Sequence, residues 1–257
     1  MPNNHRNRIE FKVWARHALF TDPLTKIGGE KCSYHVPTYE ALKGITKSIY
    51  WKPSLIWVID EVRVMKRIRT QTKGTKPLNL SGVYSDAREK GKKQEPLNAL
   101  AIYTFLADVE YQVRAHFEWN DHRSDLRTDQ IDGKHHAIAK RMLDRGGRQD
   151  IFLGTRDCQG YVEACEFGSD SGAYDDAGQL AFGVMFHGFD YPDETGSGKL
   201  SARFWRPTMV NGKILFDRPE SDSMVRKFVR PMNVKPFGIG KNQLSVTDEE
   251  TQIEGVL

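Results

Sequence analysis

The sequence predicts an α+β fold on three observations. Two helical patterns, each closed by Pro or Gly, lie between segments that alternate apolar and polar residues. Their order over residues 1–158 is β-α-β-β-α-β. Beyond residue 159, turn signals (GSDSG, DDAG, PDETGSG, NGK) recur with short β-prone runs between them. The first arrangement is the ferredoxin-like plan, which RNA-recognition modules (RRMs) share. The second argues an antiparallel β-rich C-terminal subdomain over 159–234. Residues 235–257 are left as a tail of uncertain order, with an acidic DEE near its end.

Each element has its own signal. Ile9 to Trp14 (IEFKVW) alternates as a half-buried strand does. Thr21 to Tyr34 reads as a long loop, because its DP, its GG and its lysines break any period. Pro37 starts a helix that runs to about Tyr50, with Ala41, Leu42, Ile45 and Ile49 on one face, and Pro53 stops the chain from continuing it. Leu55 to Met65 is a buried strand with a charged end, and Arg67 to Lys76 extends it as a basic hairpin arm. Residues 79–98 are polar, lysine-rich and aperiodic, so they read as a basic loop or insertion. Leu100 to Trp119 contains two strand-like pieces, the second starting at Val109. A helix follows from about Lys134 to Arg145, with Ile138, Met142 and Leu143 inward and Gly146-Gly147 as its stop. Ile151 to Leu153 is the next strand. In the C-terminal part the β-prone runs are FGVMFHGF, LSARFWRP and KILF.

Composition narrows the function. The chain has 257 residues, 39% hydrophobic and 28% charged, with a mean hydropathy of −0.59. No run approaches the ~18 apolar residues of a membrane span. The opening MPNNHRNRIEFKVW lacks the apolar run of a secretion signal, and three cysteines in no CxxC pattern fit a reduced setting, so a cytoplasmic location is expected. The net charge of +4 is uneven: residues 1–76 carry 15 Lys and Arg against 6 Asp and Glu, whereas residues 160–257 carry 10 against 15. The first part is therefore the candidate surface for a polyanion. A merely solubilising surface has the same composition, so motifs must decide.

Gly133-Lys134-His135-His136 sits at a helix start, where partial positive charge and free N–H groups attract phosphate. Lys134 adds a point charge for a phosphorane oxygen, and His135 a proton donor near neutral pH. A polar helix start on the surface would read the same way. At the end of the first helix, adjacent Tyr50 and Trp51 cannot both face one core, so one can stack on a base or bond a ribose while the other packs. Gly146-Gly147-Arg148, and Gly28-Gly29 with Lys26 and Lys31, permit close approach to a ligand, or plain turns. No GxxxxGK[ST], GxGxxG or GxSxG is present. His116, His122, His135 and His136 match no zinc spacing, and neither do Cys158 and Cys165. No metal or other cofactor is expected.

FTDPLTKIGGEKCSYHVPTYEALKGITKSIYWKP, VIDEVRVMK, GKHHAIAKRML, GGRQDIFLGTRDCQGYV, CEFG and HGFDYPDETG occur in that order. Together they resemble CRISPR-associated (Cas) protein family five, in its subtype I-C branch, over roughly residues 9–77 and 99–216. The family belongs to the repeat-associated mysterious protein (RAMP) superfamily. The resemblance implies a ferredoxin-like RAMP domain and a metal-independent endoribonuclease. Such an enzyme cuts precursor CRISPR RNA at the 3′ base of the repeat hairpin by attack of the adjacent 2′-OH. It then stays in the Cascade surveillance complex near the crRNA 5′ handle, with the backbone and large subunits as partners. The family's catalytic tyrosine falls on Tyr50, and its lysine and histidine on Lys134 and His135. Residues 79–98 and the tail beyond about 235 depart from the family pattern, and His136 stands where variation is expected.

The expected site is therefore Tyr50 orienting or helping to activate the 2′-OH, Lys134 on the phosphorane and His135 moving protons. Lys26, Lys31, Arg67, Arg69, Lys73 and Arg148, from the basic loops, are the RNA-binding candidates. The alternative is a non-catalytic scaffold that binds the crRNA handle while another protein cuts.

Overall fold

The computed structural model describes residues 5–28, 30–76 and 100–254. The basic loop expected at 79–98 lies outside them. Among the described residues the chain forms strands β1 (Ile9–Ala18), β2 (Lys31–Cys32), β3 (Leu55–Val64), β4 (Thr70–Thr75), β5 (Ala101–Trp119), β6 (Ile151–Phe152) and β7 (Gln159–Ala164). Further on come β8 (Gln179–Ala181), β9 (Met185–Asp190), β10 (Lys199–Trp205), β11 (Thr208–Val210), β12 (Lys213–Leu215) and β13 (Val225–Pro231). The α-helices are α1 (Tyr39–Ile49), α2 (Asp132–Asp144), the single turn α3 (Pro192–Thr195) and α4 (Val246–Glu254). No helix among the described residues is long and apolar enough to cross a membrane.

The main sheet runs β6-β7-β1-β5-β3-β12-β11-β8, with β2 and β4 also paired to β5. At its centre β5 lies antiparallel between β1 and β3, and β7 lies antiparallel on the far side of β1. The overall class is mixed α and β with a mostly antiparallel sheet. β13, β10 and β9 make a second, three-stranded sheet.

Several elements differ from the sequence expectation. Leu100 to Trp119 is one long strand, not two pieces. Its apparent break is Asp108, which has a φ of 53° and is skipped in the pairing with β1 between Ala107 and Val109. The arm at 67–76 pairs through β4 with β5, not with β3. The loop at Thr21–Tyr34 holds β2, which adds to β5 in parallel. The expected division after residue 158 does not separate two sheets, because β7, β8, β11 and β12 all join the main one. The tail is folded as far as it is described: Arg123 donates to the carbonyls of Lys235 and Phe237, and α4 packs on α2.

The helices form for local reasons. Thr38 caps α1 by accepting from the Ala41 amide at 3.1 Å, and Tyr39, Leu42, Ile45 and Ile49 are buried on its inner face. Gly146 and Gly147, with φ of 84° and 106°, end α2 with bonds from their amides to the carbonyls of Leu143 and Met142, a Schellman stop. The amides of Arg148 and Gln149 then donate to Ser48 O, 3.1 and 3.0 Å away. The last carbonyls of α1 are thus satisfied by the chain leaving α2, which fixes the two helix ends to one another.

The second sheet joins α1 through His187, whose ring stacks on Tyr39 at 4.2 Å and meets Trp205 and Phe216 edge-on. Arg203 Nε donates to His187 Nδ1 and His187 Nε2 faces Asp217 O at 3.1 Å, so the neutral imidazole carries its proton on Nε2. Burial, then the Arg203 charge, hold its pKa at about 3. The unfolded histidine binds its proton at about pH 6.5. The neutral ring's contribution is complete above that pH and is lost as pH falls toward 3, at up to about 1.4 kcal/mol per pH unit. Urea unfolding between pH 7 and 5 is expected to show this slope in the wild type and to lose it in His187→Gln.

Candidate active site

Tyr50 leaves α1 in extended backbone (φ −158°, ψ 138°), and Pro53, which also keeps Lys52 out of the helical region, stops the helix from resuming. The Trp57 indole donates to its carbonyl at 2.7 Å and holds that turn. The phenol then crosses to the first turn of α2, where Tyr50 Oη lies 2.9 Å from His135 Nδ1. The other ring nitrogen, Nε2, lies 2.6 Å from the carbonyl of Asp129. A carbonyl only accepts, so Nε2 carries the proton and Nδ1 accepts from the Tyr50 hydroxyl. Phe117 and Trp119 present their rings edge-on to the imidazole, with centroids 6.2 and 5.4 Å away. β5 therefore supplies the floor of the site.

Both residues have 0% exposure. Burial lowers the pKa of His135, opposed by the Asp129 carbonyl bond and charge. Burial, with the charges of Glu249 and Asp129, pushes the Tyr50 phenol well above its ordinary range. At neutral pH the pair is thus a neutral imidazole accepting from a neutral phenol. Of these two groups, the Nδ1 lone pair is the one able to take a proton.

Asp129, at the end of a 3₁₀ turn (Ser124–Asp129), braces the histidine. Its Oδ2 accepts from Ser54 Oγ at 3.1 Å and stands 3.8 Å from His135 Nε2, while its Oδ1 accepts from the Val246 amide. The sequence reading missed this residue. An aspartate in a polar turn gives no local signal that its carboxylate points inward.

Lys134, next to His135, bonds Thr247 Oγ1 at 3.2 Å and Glu250 at 3.1 Å, both on α4. The amides of Lys134 and His135 bond the Ile131 carbonyl, so they are not free to hold a phosphate as the helix-start motif led one to expect. Arg148 pairs with Glu249, and so does the buried Lys52, which also donates to Leu244 O at 2.7 Å. Three of the residues singled out in the sequence, Lys134, His135 and Arg148, thus gather with Tyr50 where α1, α2 and α4 meet.

The other basic candidates lie elsewhere. Lys31 and Lys73 flank Tyr103 from β2 and β4, with the Lys31 ammonium 4.9 Å from the Tyr103 ring centre. Arg69 is paired with Asp108 at 3.2 Å, and Lys26 and Arg67 are exposed. They belong to a surface on the β2–β5–β4 side of the sheet, apart from the Tyr50–His135 pair.

The chain has relatives among known proteins. A protein from Mannheimia succiniciproducens named CRISPR pre-crRNA endoribonuclease Cas5d is 31% identical over 151 residues, which is 54% of this chain and 64% of that protein. The chain thus spans somewhat under two thirds of that relative. A protein of the same name from Thermus thermophilus is 26% identical over 210 residues, covering 78% of this chain and 80% of its own length. Among solved structures, a CRISPR-associated protein superposes with a TM-score of 0.66 at 32% identity, covering 85% of this chain and 96% of its own. A functionally uncharacterised protein from Streptococcus mutans gives 0.65 at 34% identity, covering 86% and 96%. The family model for the Cas5 CRISPR-associated proteins, in its Cas5d form, matches residues 8–217, and the chain belongs to that family.

Proposed function

We propose that the protein is a metal-independent endoribonuclease that cleaves precursor CRISPR RNA at the repeat hairpin. The observation that carries this reading is the buried Tyr50–His135 hydrogen bond of 2.9 Å with Lys134 at the adjacent position. Cleavage of this kind needs a base for a 2′-OH, a cation for the phosphorane and an acid for the leaving oxygen. In the proposed reaction the 2′-oxygen attacks the adjacent phosphorus, and its proton passes to His135 Nδ1, directly or through the Tyr50 hydroxyl. Lys134 offsets the charge on the phosphorane oxygens. The bond to the 5′-oxygen breaks and that oxygen takes the proton from His135 Nδ1, which restores the neutral imidazole and leaves a 2′,3′-cyclic phosphate and a 5′-hydroxyl. No charge is gained or lost overall.

The names of the two curated relatives support the same activity. The β7-β1-β5-β3 order with α1 and α2 supports reading the N-terminal part as a ferredoxin-like RAMP domain. Retention in a type I-C Cascade at the crRNA 5′ handle, beside backbone and large subunits in the cytoplasm, belongs to the same proposal. The basic surface of Lys26, Lys31, Arg67, Arg69 and Lys73 supplies a second RNA contact for it.

The complete burial of Tyr50 and His135 favours the other reading, a scaffold that binds the handle without cutting. One assay separates them. Incubated with a repeat hairpin in excess EDTA, the protein is expected to release a fragment ending in a cyclic phosphate. Intact RNA would sink the enzyme reading, and cleavage that stops on chelation would remove its metal independence.

A further inference from the structure

We propose that the seat now filled by Glu249 and Glu250 of α4 is a binding site for RNA backbone phosphate, formed by Lys52, Lys134, Arg141 and Arg148, and that RNA displaces α4 to occupy it. The inference rests on the ribonuclease reading and deepens it. Its basis is a set of pairings centred on two consecutive carboxylates. Glu249 meets Lys52 and Arg148, and Glu250 meets Lys134 at 3.1 Å and Arg141 at 3.6 Å. Two anions spaced along one backbone thus collect four cations from the α1 exit and from α2 and its exit. RNA presents the same pattern, and arginine and lysine bond phosphate oxygens as they bond carboxylates.

The catalytic pair gives the second reason. Val246, at the start of α4, is 1% exposed, and its amide bonds the same Asp129 that braces His135. With α4 seated, Tyr50 and His135 have no exposed surface, and no phosphodiester can come within reach of Nδ1. For this pair to act on RNA its cover has to open, and α4 is bonded to the residue that braces it.

The attachment is of a kind that can be exchanged. α4 has nine residues, VTDEETQIE, with Val246 and Ile253 as its apolar contacts to the core, and so short a helix is marginal alone. Much of its hold is ionic, and Glu249 and Lys52 are each 4% exposed. A buried ion pair returns little net stability once desolvation is counted, so replacing one anion by another costs little. An approach also exists. Beside α4 an open cleft of about 670 Å³ is lined by Lys47, Trp51, Lys52, Arg148 and Lys235, among others. An incoming strand can therefore reach Arg148 from the side before Glu249 lets go. The region matched by the Cas5 family ends at residue 217, ahead of α4.

The test uses the full chain and a repeat hairpin made uncleavable by a 2′-deoxy nucleotide at the scissile position. Adding this RNA to the wild type is expected to speed amide hydrogen exchange at 246–254 about tenfold or more. Glu249→Gln with Glu250→Gln is expected to bind the same hairpin about tenfold more tightly, because the competing charge is gone. RNA that binds and, in its cleavable form, is cut while exchange at 246–254 stays unchanged or slows overturns the displacement and leaves the ribonuclease reading standing. Failure of both proteins to bind the hairpin overturns the two together.

Discussion

His135→Ala is expected to lower the single-turnover cleavage rate of the repeat hairpin about 10³-fold, the middle of the range for removing a positioned general acid or base. RNA affinity should change little, because it depends on the lysines and arginines around the site and not on a neutral imidazole. The substitution also has a structural cost. It leaves the Tyr50 hydroxyl and the Asp129 carbonyl without their partner in a dry site, about 1–3 kcal/mol for each unsatisfied group. A loss of rate in the alanine variant could therefore reflect a loosened core. His135→Gln separates the two effects: its amide can bond both neighbours, yet it cannot take up or deliver a proton at neutral pH. The glutamine variant should keep most of the stability and still lose most of the rate. Cleavage within about tenfold of the wild type in His135→Gln would remove the histidine from the chemistry. Tyr50→Phe should be milder, since it deletes one hydroxyl and leaves Nδ1 free to accept from the 2′-OH directly.

The order of these effects reflects what the sequence could and could not reveal. Tyr50, Lys134 and His135 drew notice locally, at a helix stopped by Pro53 and at a Gly-Lys-His-His run opening another, but their assignment to one site came from the family resemblance. That Tyr50 and His135 meet was expected from the family resemblance, and no local pattern carries it. It depends on the two bonds to Ser48 O that tie the exit of α2 to the end of α1, and residues about a hundred positions apart leave no shared pattern. The same limit explains β5. Asp108 interrupts the alternation, and only the pairing with β1 shows that the strand continues through it. β7 escaped because Gly160 and the charged Glu163 weaken its pattern, although Val162 is buried opposite Val13. The tail's order was left open for the same reason. DEE reads as solvated charge when its partners are unknown, and its order comes from cations far away in the chain.

Asp129 is where these long-range dependencies converge, and its replacement is the second large effect expected. One carboxylate oxygen takes the Ser54 hydroxyl from the entry to β3, and the other takes the Val246 amide at the start of α4. The backbone carbonyl of the same residue accepts the hydrogen bond from His135 Nε2. Asp129→Ala keeps that last bond and deletes the first two, leaving a hydroxyl and an amide unpaired in a site that is 4% exposed. A loss of about 3 kcal/mol follows from two such groups. For a chain of this size that is roughly 6–12 °C in melting temperature. Asp129→Asn preserves the shape: its carbonyl can still accept from Val246, and its amide can donate to Ser54, whose oxygen also accepts. It should therefore lose less than half as much. Thermal unfolding of the two variants decides whether the hydrogen bonds or the charge matter. Equal losses would mean that the negative charge near His135 Nε2, 3.8 Å away, is the larger contribution. A large loss confined to alanine would make Asp129 a hydrogen-bonded joint between the histidine and α4. In that case Asp129→Ala should also free α4, raising exchange at 246–254 without RNA, because the bond that ties the helix to the site is gone.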